Sequence, residues 1–221
     1  MLGRLALALA ILFLCLSACG GGGSDPPAAS GLPPLISLYG DSLMVGAYGL
    51  DSTIKTPPTE SLSKLLGGRY RVELRGVSGA SALQAVAGDP PRWPWAPFAD
   101  QVRIDAPKIV VLRFGGADAI YATDPEKERV AILRMAREAK AAGAQVLVMG
   151  VIPLVASPAY VARAAQMDQI NRNIAATEDS PFVDVRSLGF DPARDLAPGD
   201  PVHPNQAYSD RMMELLARSV P

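Results

Sequence analysis

The sequence predicts an α/β domain in which helices sandwich a parallel sheet, and three observations lead there. Short apolar, β-branched runs alternate along the chain with longer segments of helical period. Two of those runs, residues 109–114 and 145–150, are apolar on both faces, as strands covered by helices on each side must be. Polar, glycine-containing stretches follow the runs, which is where an open parallel sheet presents its ligand-binding loops.

In chain order, residues 1–18 are expected to lie outside that domain. Arg4 forms a small basic n-region, residues 5–14 are continuously apolar, and Leu16-Ser17-Ala18 places small residues before Cys19, as a secretory signal does. The stretch 5–18 has about 14 residues, short of the ~20 that a membrane-spanning helix needs. Leu-Ser-Ala-Cys resembles the lipobox of bacterial lipoproteins, and that resemblance implies lipidation of Cys19 as the mature N-terminus. Residues 19–34 are rich in Gly, Ser, Ala and Pro and read as a flexible tether. The expected product is an exported, lipid-anchored protein of the bacterial cell envelope. Gly20 after the cysteine points to the periplasmic face of the outer membrane in a Gram-negative host.

The domain itself is expected to span residues 35–221, with strands at 35–39, 70–74, 109–114, 145–150 and 182–185. Asp124 and Pro125 open one helix that Gly143 closes; Ser157 and Pro158 open another with Met167, Ile170 and Ile174 along one face. A last helix after Pro204 carries Tyr208, Met212, Leu215 and Leu216 on one stripe. Both cysteines, Cys15 and Cys19, precede the domain, so its core must hold it without a disulfide; 49% hydrophobic residues suffice for that. Lys and Arg number 21 against 22 acidic residues, and without Arg4 the balance is 20 against 22. Nothing there is basic enough for nucleic acid. With one histidine and no ligand cluster, a metal site is not expected. No phosphate-binding glycine motif follows a strand, so no nucleotide or other cofactor is expected, and a flavin-binding reading leaves His203 and Asp200 without a role.

Ser42, after Gly40-Asp41, is by itself equally a turn or N-cap serine. His203 changes its meaning. It is the sole histidine and stands three residues after Asp200, in a loop before the last helix. A serine hydroxyl needs a base to take its proton, and an imidazole serves best when a carboxylate fixes its tautomer.

These residues resemble the SGNH or GDSL-type serine hydrolases. Gly40-Asp41-Ser42-Leu43 matches that family's first block, Gly79 the glycine of its second, Gly115-Gly116-Ala117-Asp118 aligns with its third, and Asp200-Pro201-Val202-His203 matches its last. The resemblance implies a flavodoxin-like three-layer α/β/α sandwich of about five parallel strands. It also implies Ser42 as nucleophile, His203 as base and Asp200 orienting the imidazole, with the backbone amides of Ser42 and Gly79 in the oxyanion hole. One departure is plain: the family's third block reads Gly-x-Asn-Asp, and the asparagine that donates to the oxyanion is here Ala117. Asn205, Gln84, Arg113 or the Gly116 amide are candidate replacements. Asp41 is expected to brace or cap a loop; Asp118 either braces the third loop or is a solvated turn carboxylate.

The expected activity is hydrolysis of a small or medium acyl ester, an O-acetylated glycan among the possibilities. An acyltransferase with the same triad and a non-catalytic binding domain are the alternatives. Arg113, ending an apolar strand, is expected in a salt bridge within the fold. Trp93-Pro94-Trp95-Ala96-Pro97-Phe98 is expected to pack against the body of the domain rather than to line a substrate groove.

Overall fold

The computed structural model describes residues 31–48, 52–90 and 92–221. The signal segment, Cys19 and most of the proposed tether lie outside them. In chain order the elements are β1 (Leu35–Gly40), α1 (Ser42–Val45), a ribbon of β2 (Ala47–Tyr48) and β3 (Ser52–Thr53), α2 (Pro58–Leu65), β4 (Arg71–Gly76), α3 (Ala82–Ala87), α4 (Phe98–Asp105) and β5 (Ile109–Arg113). There follow α5 (Gly116–Tyr121), α6 (Pro125–Ala141), β6 (Gln145–Met149), α7 (Pro158–Thr177), β7 (Phe182–Val183), a 3-10 turn (Val185–Leu188), α8 (Pro192–Asp195) and α9 (Gln206–Ser219).

Five strands form one parallel sheet in the order β4-β1-β5-β6-β7. Strand order reverses between β1 and β5, and the loops after those two strands therefore diverge and leave a crevice at their carboxyl ends. Register sharpens this. Gly40 pairs with Gly76 of β4 and with Arg113 of β5, so three chain segments leave the sheet side by side. A Cβ on Gly40 would run into the Arg113 carbonyl oxygen and lie 2.7 Å from Met44 Cγ, so only glycine lets the strands approach there.

Burial follows the apolar pattern. Every residue of β1 and β5 is buried, as are the last four of β6, whereas β4 at the edge is mostly half-buried. Ala131, Ile132, Met135, Ala136 and Ala139 form the inner stripe of α6; Tyr208, Met212, Met213 and Leu216 form that of α9. Asp124 caps α6 and Ser157 caps α7 as their positions predict.

Two features differ from the sequence reading. The fifth strand is only two residues long, because β6 ends at Met149 and offers Val183 its last pairing; the chain then turns into the 3-10 segment. The antiparallel β2–β3 ribbon carried no detectable signal, since two residues per strand show no period. The tryptophan loop packs inward: Trp93 is fully buried, stacked on Tyr39 and edge-on to Trp95, with Phe98 against the same tyrosine ring.

Candidate active site

The first loop is shaped by Asp41. Its side chain is fully buried and caps α1, with Oδ1 accepting from the Leu43 amide at 3.1 Å and from the Arg113 guanidinium. Oδ2 accepts from the amides of Gly116 at 3.1 Å and Ala117 at 3.2 Å. One carboxylate thus ties the loop after β1 to the loop after β5, and Arg113 finds its expected ion pair inside the fold. A buried charge is tolerable only when paired and hydrogen-bonded in this way. Ser42, the first residue of α1, is left half-buried at the crevice.

The opposite wall is the loop before α9. Asp200 Oδ1 accepts from the amides of Val202 at 2.8 Å and His203 at 3.0 Å, and Oδ2 lies 2.8 Å from His203 Nδ1. His203 Nε2 lies 2.9 Å from Ser42 Oγ. The loop is secured by the carbonyl of His203 accepting from Ala197 N at 3.0 Å and by Asn205 N donating to the Asp195 carbonyl at 2.8 Å. Behind it Asp195 receives Arg194 and Arg211, and the Arg194 hydrogen bond foremost holds its carboxyl at about 2. A line of carboxylate, imidazole and hydroxyl can draw the serine proton onto nitrogen as a bond forms at oxygen.

Ser42 and His203 share a cleft of ≈ 270 Å³ with Ala47, Ser78, Gly79, Ala117, Ile120, Tyr121 and Val202. Gly79 has φ +74°, a conformation that favours glycine. All four polar stretches that follow the strands therefore contribute to one rim.

Residues 38–210 match the GDSL-like lipase/acylhydrolase family. The chain belongs to that family. Esterase TesA of Pseudomonas aeruginosa is 28% identical over 181 residues, covering 80% of this chain and 83% of the relative. The native aryl esterase of M. smegmatis shares the fold with a TM-score of 0.69 at 17% identity, over 84% of this chain and 97% of that one. A carbohydrate acetylesterase from Sinorhizobium meliloti does so with a TM-score of 0.66 at 15% identity, over 84% and 97% of the two chains. As a GDSL-family protein this chain is a carboxylic ester hydrolase.

Against the family pattern, the third block needs two corrections. Asp41, not Asp118, receives the amides of that loop. Asp118 is buried rather than solvated, and neither of its side-chain oxygens has a hydrogen-bond donor among the described residues. Burial, then the nearby charges of Glu128 and Asp41, pushes its carboxyl from the ordinary 3.8 up to about 8. Burial also raises Glu128, whose Oε2 accepts from the Ala82 amide at 3.0 Å at the start of α3. Burial and the neighbouring carboxylates thus favour the protonated form of Asp118, which packs against Glu128 behind the second and third loops of this GDSL fold.

The second correction concerns the replacement for the asparagine. Asn205 caps α9, accepting from Tyr208 N at 3.1 Å and donating to the Arg194 carbonyl at 2.7 Å. Gln84 closes a capping box with Ser81, Arg113 is on Asp41, and the Gly116 amide is on Asp41 too. None of the four lines the cleft that Ser42 and His203 share. Sequence reasoning gave Tyr121 no task, and it missed Glu128 altogether, because a buried glutamate on an otherwise charged helix has no periodic signature.

Proposed function

We propose that this GDSL-family hydrolase cleaves small or medium acyl esters, O-acetylated glycans among them, with Ser42 as nucleophile, His203 as general base and Asp200 holding the imidazole. The observation that carries the reading is the unbroken line Asp200 Oδ2–His203 Nδ1, His203 Nε2–Ser42 Oγ at 2.8 and 2.9 Å. Ser42 Oγ bonds to the ester carbonyl carbon while its proton passes to His203 Nε2, and the amides of Ser42 and Gly79 receive the oxyanion. Collapse of the intermediate expels the alcohol, which takes the proton from His203, and water repeats the sequence on the acyl-enzyme. Ala47, Ile120 and Val202 offer an apolar wall to the acyl group, and a cleft of ≈ 270 Å³ suits a short one.

A fluorophosphonate probe should label the wild-type protein and fail to label Ser42→Ala, whose turnover of p-nitrophenyl acetate should fall by roughly 10⁴- to 10⁶-fold. Labelling that persists in Ser42→Ala overturns the assignment. Release of p-nitrophenol accelerated by sugar acceptors would turn the reading from hydrolysis to acyl transfer.

The proposal extends to the N-terminus, where Cys19 after Leu16-Ser17-Ala18 anchors the exported chain by its lipid. In a bacterial host Cys19→Ser should shift the protein from the membrane pellet to the soluble fraction. An unchanged distribution overturns the anchor.

A further inference from the structure

We propose that the phenol hydroxyl of Tyr121 supplies the oxyanion hydrogen bond that the family's asparagine would give and Ala117 does not. The proposal rests on Ser42 being the nucleophile. Tyr121 follows Ala117 by four residues on α5, so the two lie one turn apart on the same face. Helical side chains lean back over the preceding turn, and a long one at position 121 therefore covers the place where an asparagine at 117 would reach.

The position of the ring agrees. A Cβ on Gly79 would meet Tyr121 Oη at 3.2 Å, Cε2 at 3.6 Å and Cζ at 3.8 Å, so the phenol end of the ring rests on the residue whose amide is already a proposed oxyanion donor. Ala117, Tyr121, Gly79, Ser42 and His203 line the same cleft. Unlike Tyr39 and Tyr208, which are buried in the core, Tyr121 is 66% exposed, and its hydroxyl has no hydrogen-bond partner among the described residues. Its proton is therefore available to a ligand in the cleft. Tyrosine hydroxyls serve as oxyanion donors elsewhere in enzymes.

In the step concerned, the Ser42 Oγ–carbon bond forms, the carbonyl π pair moves onto oxygen, and the serine proton goes to His203. Tyr121 keeps its own proton and only donates a hydrogen bond to the new oxyanion. The ring of Tyr121 is not needed for this; the hydroxyl is.

The decisive variant is Tyr121→Phe, assayed on p-nitrophenyl acetate, with circular dichroism and thermal melting to verify the fold. Loss of an enclosed donor typically lowers kcat by about 10²–10³-fold, and in an open cleft water offsets part of that. We expect kcat to drop about 10- to 100-fold with KM nearly unchanged. Adding Ala117→Asn to that variant should recover much of the loss. Wild-type kcat in Tyr121→Phe, a loss confined to KM, or a folded double variant with no recovery overturns the proposal. Ser42→Ala run in parallel separates the failures: residual turnover there sinks the nucleophile, whereas a dead Ser42→Ala beside a fully active Tyr121→Phe sinks only Tyr121.

Discussion

Asp200 and Asp118 have opposite surroundings. Asp200 carries two backbone amides and a ring nitrogen, each within 3.0 Å, on a loop whose own backbone is hydrogen-bonded at both ends. Asp118 is buried with no donor on its carboxyl, faces Glu128, and keeps its proton up to about 8. The comparison separates burial from solvation by the protein. A carboxylate given donors can support a positive imidazole; one deprived of them becomes a neutral acid that serves packing. Asp41 belongs with Asp200 in this respect, since complete burial is matched there by a guanidinium and three amides.

The largest effect should come from breaking the better-solvated side. Asp200→Asn preserves the acceptor for the Val202 and His203 amides but lets the side chain face His203 Nδ1 with an N–H, which favours the wrong tautomer. A fall in kcat of about 10⁴-fold is expected on p-nitrophenyl acetate, with the loop intact. A change of less than tenfold would show that His203 does not depend on Asp200.

A smaller effect, of opposite sign, should follow on the other side. An unfolded aspartate ionises near 3.8, whereas folded Asp118 holds its proton to about 8, so the native state binds more protons between those values. Stability from this group is fully present below about pH 4 and declines as pH rises through about 8. Asp118→Asn removes the titration while keeping size and a donor for Glu128. Its urea midpoint relative to wild type should therefore rise from pH 4 to pH 8 and then level off, with a gain on the order of a few kcal/mol at most. A pH-independent difference would place the charge elsewhere. Turnover should change little, because Asp118 does not line the cleft.

The legibility of the molecule divides along the same physical line. β1, β5 and β6 are visible in sequence because strands covered on both faces must be continuously apolar, and α6 and α7 because their caps are local. Asp200 and His203 are legible as a pair because three residues separate them and one loop contains both. Ser42 joins them only through the likeness of the family's ordered blocks, since 161 residues of chain separate it from His203. The 3-10 turn after β7 and the β2–β3 ribbon were not legible, being too short to show a period.

The sequence by itself determined the alternation of strands and helices, the reactive side chains and the family they belong to, because these depend on composition, spacing and local caps. Tertiary structure alone decided that Asp41 rather than Asp118 holds the third loop, that Asn205, Gln84, Arg113 and Gly116 stay outside the lining of the cleft, and that Tyr121 rests on Gly79. The physical reason is that a polar group's state depends on which donors and charges reach it, and those arrive from segments remote along the chain.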